Sequence, residues 1–281
     1  MKSTPPDPDL LALNMATVRE KWDLREAIEG CVRHRIRGLA PWRDRLVQMG
    51  VKEAARAMRE NGLTATALCG AGMFPASDRK GRQAAIDEAR RAVEDAAALE
   101  ARCLALVAGG LPRDSKDLGG TREMVRDGIG EVLDEARSSG VRLAIEPQHP
   151  MYCAGRSCVS SLAQALDLCD ELDPGGTTLG IAVDVYHVWW DPQLRAQIER
   201  AGEKRLLGFQ ISDWLPASRD MVADRGMMGD GVIDLPLVRS WLEGAGYHGF
   251  HEVEILSAGN WWRRDPEEVL ATCRMRHQTA C

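Results

Sequence analysis

Eight short apolar runs recur along the chain, each followed by a stretch with helical periodicity. They are LALNMA from Leu11, IRGLAPW from Ile36, TATALCG from Thr64, CLALVAGG from Cys103, VRLAIEP from Val141, TTLGIAVDVYH from Thr177, RLLGFQISD from Arg205 and FHEVEIL from Phe250. Between them, apolar residues fall three and four apart, as in Leu24, Ala27, Ile28 and Cys31, or Ile86, Ala89, Val93 and Ala96. That spacing lays one apolar stripe along a helix. Asp23 with Glu26 forms a capping-box pattern, and Ser77 and Asp78 precede the second stripe. Asp191-Pro192 and Asp265-Pro266 each place a cap before a helix-opening proline, while Gly62, Gly140 and Gly246 sit where helices should stop.

Strands this uniformly apolar are covered on both faces, which requires a parallel sheet flanked by helices. Eight strand-helix units fit a closed (β/α)8 TIM barrel of the α/β class. An open doubly wound sheet is the other solution, but no G-x-G-x-x-G turn follows the first strand. No shift in composition marks a linker, so residues 1–281 read as a single domain.

Charge narrows the partners. Lys plus Arg number 36 against 42 Asp plus Glu, a net charge of −6, which gives no strong field to hold a polyanion and disfavours nucleic acid. No apolar run reaches the ~18 residues of a membrane span, and the start, MKSTPPDPDL, lacks a signal peptide's apolar stretch. A cytoplasmic protein with no membrane partner is expected. The eight cysteines include no C-x-x-C and read as reduced thiols, with Cys31, Cys103 and Cys169 as small core hydrophobes.

In such a barrel, chemistry gathers at the C-terminal ends of the strands. The fifth predicted strand ends in Glu146 before Pro147, the sixth in Asp184, the seventh carries Gln210 and the eighth ends in Glu254. By two-residue alternation Ala144, Ala182 and Gly208 lie beneath three of these on the same face, which suggests an inward face. Three carboxylates converging at one mouth repel unless a cation holds them, so a divalent metal is expected. Glu252, one layer deeper, is assigned a structural hydrogen-bonding role, and His251 points towards the helices.

The stretches AIEPQHPMY, VDVYHVWWD, GFQISDW, RGMMGDGVID and EVEILS resemble the xylose-isomerase-like barrel superfamily, in its sugar phosphate isomerase/epimerase branch. The resemblance runs from LALNMAT onward and is most specific in the later half. It implies metal ligands Glu, Asp, His and Glu from strands five to eight, which fall here on Glu146, Asp184, Gln210 and Glu254. Gln210 stands where histidine is commoner, and an all-oxygen set leans towards Mn²⁺ or Mg²⁺ and away from Zn²⁺. The D-x-x-H of ketose epimerases matches Asp184 to His187, implying that His187 contacts substrate. The related endonuclease branch needs a histidine-rich zinc cluster; of six histidines only His149 and His187 fall near strand ends.

The implied activity is a metal-dependent isomerase or epimerase acting on a keto sugar, sugar phosphate or related polyol through an enediolate, with Glu146 and Glu254 as the proton-transferring pair. A lyase or dehydratase using the same enolisation is one alternative. A non-catalytic binding protein with a weakened metal site is another, suggested by Gln210. Arg225, then Arg219, are the arginines expected to contact substrate. RGMMGDG reads either as a phosphate cradle or as the turns of a lid, with Asp234 capping the next helix. Trp42 could form an apolar wall for a sugar face. The partner is a small carbohydrate, and a homo-oligomer is compatible with all of this.

Overall fold

The computed structural model describes residues 4–281, so the first three residues of the MKSTPPDPDL start lie outside the described residues. Nine parallel strand segments make one sheet: β1 (Leu11–Asn14), β2 (Gly38–Ala40), β3 (Thr64–Ala65), β4 (Leu68–Gly72), β5 (Leu104–Val107), β6 (Leu143–Ile145), β7 (Leu179–Asp184), β8 (Leu206–Ile211) and β9 (His251–Val253). Their order is β3-β2-β1-β9-β8-β7-β6-β5-β4, so the two ends of the sheet are consecutive in sequence. β3 and β4 are halves of one barrel strand interrupted at Thr66 and Ala67. Thr66 and Cys69 donate their amides to Leu39 and Pro41 on one side, at 3.0 Å each, and Leu68 donates to Cys103 on the other, at 2.9 Å. The barrel closes through that strand, and the eight expected runs account for all nine segments.

Among the described residues ten helices cover it: α1 (Leu24–Arg33), α2 (Arg43–Met49), α3 (Val51–Glu60), α4 (Arg79–Leu99), α5 (Leu118–Ser138), α6 (Leu162–Leu172), α7 (Val185–Val188), α8 (Leu194–Arg205), α9 (Leu235–Gly244) and α10 (Pro266–Ala280). The Asp23/Glu26 capping box forms in both directions, and Asp78, Asp234 and Asp265 cap α4, α9 and α10. Each apolar stripe packs on the outside of the sheet; a side chain such as Ile28, buried there, contributes roughly 1.5–3 kcal/mol.

Small side chains fill the inside. Ala40, Ala67, Cys69, Cys103, Ala105, Ala144 and Ala182 form a separate interior cluster. Small residues leave room above them, and polar side chains occupy that room.

One local expectation needs correction and one holds. The strand in the run from Thr177 ends at Asp184, as expected: Asp184 accepts the Tyr186 amide at 2.9 Å and turns the chain into the one-turn helix α7. Asp191-Pro192, by contrast, does not open a helix, because Asp191 accepts the Gln193 amide in a local turn and α8 begins at Leu194. Among the described residues no helix is long and apolar enough to cross a membrane.

Candidate active site

The strand ladders set the site. Asp184 pairs with Gln210 and Gln210 with Glu252 in register, while Glu146 and Glu254 extend their strands by one hydrogen bond each, to Leu106 at 3.0 Å and Ile211 at 3.1 Å. All five polar side chains are buried at the C-terminal end of the barrel or just below it.

The deepest layer is self-contained. Both oxygens of Glu252 accept hydrogen bonds at 2.7 Å, from Asn14 Nδ2 and the Thr66 hydroxyl, and Asn14 Oδ1 accepts the Trp42 indole N–H at 2.7 Å. Burial pushes the Glu252 carboxyl up to about 7, against the pull of those donors. Glu252 joins β1, β9 and the interrupted third strand.

Above it, Arg225 occupies the centre of the acidic group. Its Nη1 donates to Asp184 Oδ2 at 2.9 Å and to Glu254 Oε2 at 3.2 Å, and its Nη2 lies 3.2 Å from His187 Nε2. The Tyr186 ring lies 4.4 Å from the guanidinium carbon, a cation-π contact. Burial pushes the Asp184 carboxyl up, but the Arg225 guanidinium, His187 and the Tyr186 amide together reverse this and hold it below the ordinary value. Burial raises Glu146 to about 7, with Asp184 adding to the rise, and raises Glu254 well above the carboxylate range. One carboxylate is thus fixed as an anion while two are made basic.

His187 is buried and its imidazole is pushed down to about 3 by desolvation, so it is neutral. With Nε2 facing the guanidinium, the network assigns the proton to Nδ1, which has no partner.

A cavity of about 380 Å³ opens on this group. Trp42, Met73, Val107 and Leu256 give it an apolar wall, and Glu146, Glu254, Gln148 and Arg225 a polar one. Asp184, Gln210 and His187 sit behind that polar wall, and Arg219 is exposed and does not line the cavity. The cavity also contains Arg156 and Gln148, which the sequence reading did not single out. Gln148 was detectable: it stands two residues beyond Glu146, on the same face by alternation, and donates its amide to Glu146 Oε1. A larger open groove of about 950 Å³ outside the barrel is lined by charges already paired with one another, such as Arg90 with Glu131 and Arg82 with Asp127.

The residues present suit a divalent cation. Gln210 Oε1 is buried with no hydrogen-bond partner, an acceptor aimed at nothing within the protein. Its amide N–H is 3.5 Å from Glu146 Oε2, too long to engage that oxygen strongly. With Arg225 the one cation among the described residues in contact with this group of three carboxyls, burial holds Glu146 and Glu254 towards their protonated forms, and a bound dication would release those protons. Glu146, Asp184 and His187 have ligating atoms within 4.8 Å of one another.

The segment RGMMGDG does not cradle an anion. The Asp213 carboxylate accepts the amides of Gly229, Gly231 and Ile233 at 3.0, 2.8 and 2.9 Å, so the donors a phosphate would need are already used. An alanine Cβ at Gly231 would meet the Trp214 carbonyl oxygen at 2.1 Å, which fixes the turn tightly.

A parallel eightfold barrel with carboxylates gathered at the C-terminal strand ends defines the class. The chain belongs to the xylose isomerase-like TIM barrel family, whose sequence profile matches residues 26–273. Among solved structures it is similar to protein SMc04130 of Sinorhizobium meliloti 1021, with 54% identity over 98% of this chain and 99% of that one and a TM-score of 0.95. It shares the fold of IOLI, a protein solved with a bound zinc atom, at 21% identity, 95% coverage of both chains and a TM-score of 0.81. It shares it also with the 3-keto-D-glucoside 4-epimerase YcjR of E. coli, at 20% identity, 92% and 95% coverage and a TM-score of 0.73. No protein of curated function matches the sequence.

Proposed function

We propose that the protein is a metal-dependent isomerase or epimerase of a keto sugar or related polyol. The observation that carries this reading is the pairing, on one cavity wall, of Glu146 and Glu254, both made basic by burial, beside Asp184, held ionised by Arg225. Carbon acids beside a carbonyl need a base of that kind, and a second group to return the proton.

Glu146, Asp184, Gln210 and Glu254 would hold the ion, which when bound supplies Lewis-acid polarisation of the substrate's carbonyl. An oxygen-only set favours Mn²⁺ or Mg²⁺. Glu146 and Glu254, from strands separated by β7 and β8, take and return the proton. Arg225 keeps Asp184 anionic and presents its guanidinium at the cavity wall. His187, neutral and behind that wall, orients Arg225. Trp42 packs against the sugar's apolar face, its ring fixed by the bond to Asn14.

The test is metal analysis of purified protein followed by incubation of the Mn²⁺-loaded enzyme with a panel of keto sugars in D₂O. Deuterium at one carbon adjacent to the carbonyl is the expected result, with an epimeric or isomeric product. An unsaturated product would reassign the reaction as elimination, and no exchange with any sugar would contradict the reading.

A further inference from the structure

Arg156 stands out among the arginines. Among the described residues it is the one arginine shielded from full exposure whose guanidinium forms neither an ion pair nor a hydrogen bond. It lines the catalytic cavity. The other cavity arginine, Arg225, has its charge compensated by Asp184 and Glu254. Arg156 has only the Tyr152 ring, 5.6 Å from its guanidinium carbon.

Its backbone is held in place. The Arg156 amide donates to the Tyr152 carbonyl at 2.8 Å, and Cys158 donates to Gly109 at 2.9 Å. Leu111 donates to the Ala154 carbonyl at 2.8 Å, so the loop after β6 is stitched to the loop after β5. Gly110 allows this approach, since a Cβ there would meet the Ala154 oxygen at 2.3 Å. A partly desolvated guanidinium on a fixed loop, with five donors and no protein acceptor, suits a planar or tetrahedral oxyanion.

We infer that Arg156 is a specificity determinant that receives an anionic group, carboxylate or phosphate, carried by the substrate. The cavity then carries groups of opposite demand: Glu146 and Glu254 for the reacting carbon, and Arg156, near Glu146, for the charged substituent. The substrate class narrows to acidic or phosphorylated keto sugars. This rests on the proposed sugar chemistry for the identity of the substrate, but not for the presence of the anion subsite.

The test is calorimetric titration of the Mn²⁺-supplemented protein with D-glucuronate against D-glucose, and with D-fructose 6-phosphate against D-fructose. Wild type is expected to bind at least one anionic probe about 10-fold or more tightly than its neutral counterpart. The probe that does so tells carboxylate from phosphate. Arg156→Met is expected to erase the difference and leave neutral-sugar affinity within about 2-fold, while Arg156→Lys retains part of it; with no side-chain bonds to lose, both variants should fold. Failure of both anionic probes to outbind their counterparts, or a preference that survives in Arg156→Met, would overturn the inference. Deuterium exchange into neutral sugars, with no anionic probe outbinding its neutral counterpart, would leave the enolisation reading intact and remove the anion subsite. Arg156-dependent binding without exchange for any sugar would do the reverse.

Discussion

At the scale of single residues, the site is governed by how few positive charges face how many negative ones. Arg225 is the counter-ion of Asp184 and Glu254, a role distinct from the substrate contact expected for it. Removing one partner of a buried ionic group leaves uncompensated charge, so Arg225→Leu should destabilise the EDTA-treated protein by about 3–5 kcal/mol. Mn²⁺ should recover more of that loss than it adds to wild type, read as the shift in urea midpoint; equal Mn²⁺ effects on both would count against a cation site among these carboxylates. Gln210 makes the complementary case. Replacing its orphaned amide oxygen by imidazole, Gln210→His, should move the competition order towards Co²⁺ and Zn²⁺. An unchanged order would remove Gln210 from the ligand set. Glu146, Asp184 and Gln210 were legible in the sequence because each stands two residues beyond a small one, and Glu254 because it ends the last apolar run. The counter-ion was not, because Arg225 lies in an irregular segment whose position no periodicity encodes.

At the scale of elements, the apolar runs announced the strands, but what joins neighbouring elements was less visible. Asp213 is the pin of the segment between β8 and α9. Asp213→Asn would turn one of its acceptors into a donor facing other donors, with Oδ2 now serving Gly229 and Gly231 and Oδ1 serving Trp214 and Ile233. A loss of about 2–4 kcal/mol is expected, with faster hydrogen exchange at whichever amides lose their acceptor; unchanged exchange throughout 226–233 would contradict the pinning.

On the outer side of β9, His251 faces α10 as expected, and its Nδ1 lies 2.9 Å from His277 Nε2. Desolvation pushes the imidazoles down to about 3 and about 4, with Arg239 acting in the same direction on both and Asp7 opposing it on His277; Cys281 completes the cluster. Both are therefore neutral in the fold at pH 5, where the unfolded chain, with histidines near 6.5, takes up protons. The stability they contribute is complete above about pH 6.5 and is lost as pH falls towards the folded values, by about 2 kcal/mol per histidine at pH 5. His277→Gln should shrink the difference between urea stabilities at pH 7 and pH 5, and an undiminished difference would refute the assignment. Nothing in the sequence joined these two residues, since they meet only when the last helix closes on the last strand.

At the scale of the whole molecule, the barrel brings Glu146, Asp184, Gln210 and Glu254 from four consecutive strand ends to one cluster, Glu146 and Glu254 lining the cavity and Asp184 and Gln210 behind them, and the small interior residues leave that cavity its room. The order of strands and helices was readable because parallel strands buried on both faces leave continuous apolar runs. Closure through a broken third strand was not, because Thr66 and Ala67 sit inside an unbroken run. Arg156 was invisible for a related reason: its meaning comes from two neighbouring loops that are joined at the barrel's mouth.

The central claim, that Glu254 carries a proton and does not merely hold an ion, is tested most directly by Glu254→Gln. The substitution keeps an oxygen and the shape of the side chain but removes the base. Deuterium incorporation from D₂O into a bound keto sugar should be compared with wild type at equal Mn²⁺ occupancy, with Glu252→Gln as the control one layer below. Exchange is expected to fall by at least ~100-fold in Glu254→Gln while the metal stays bound. Equal exchange rates in wild type and Glu254→Gln would contradict the account.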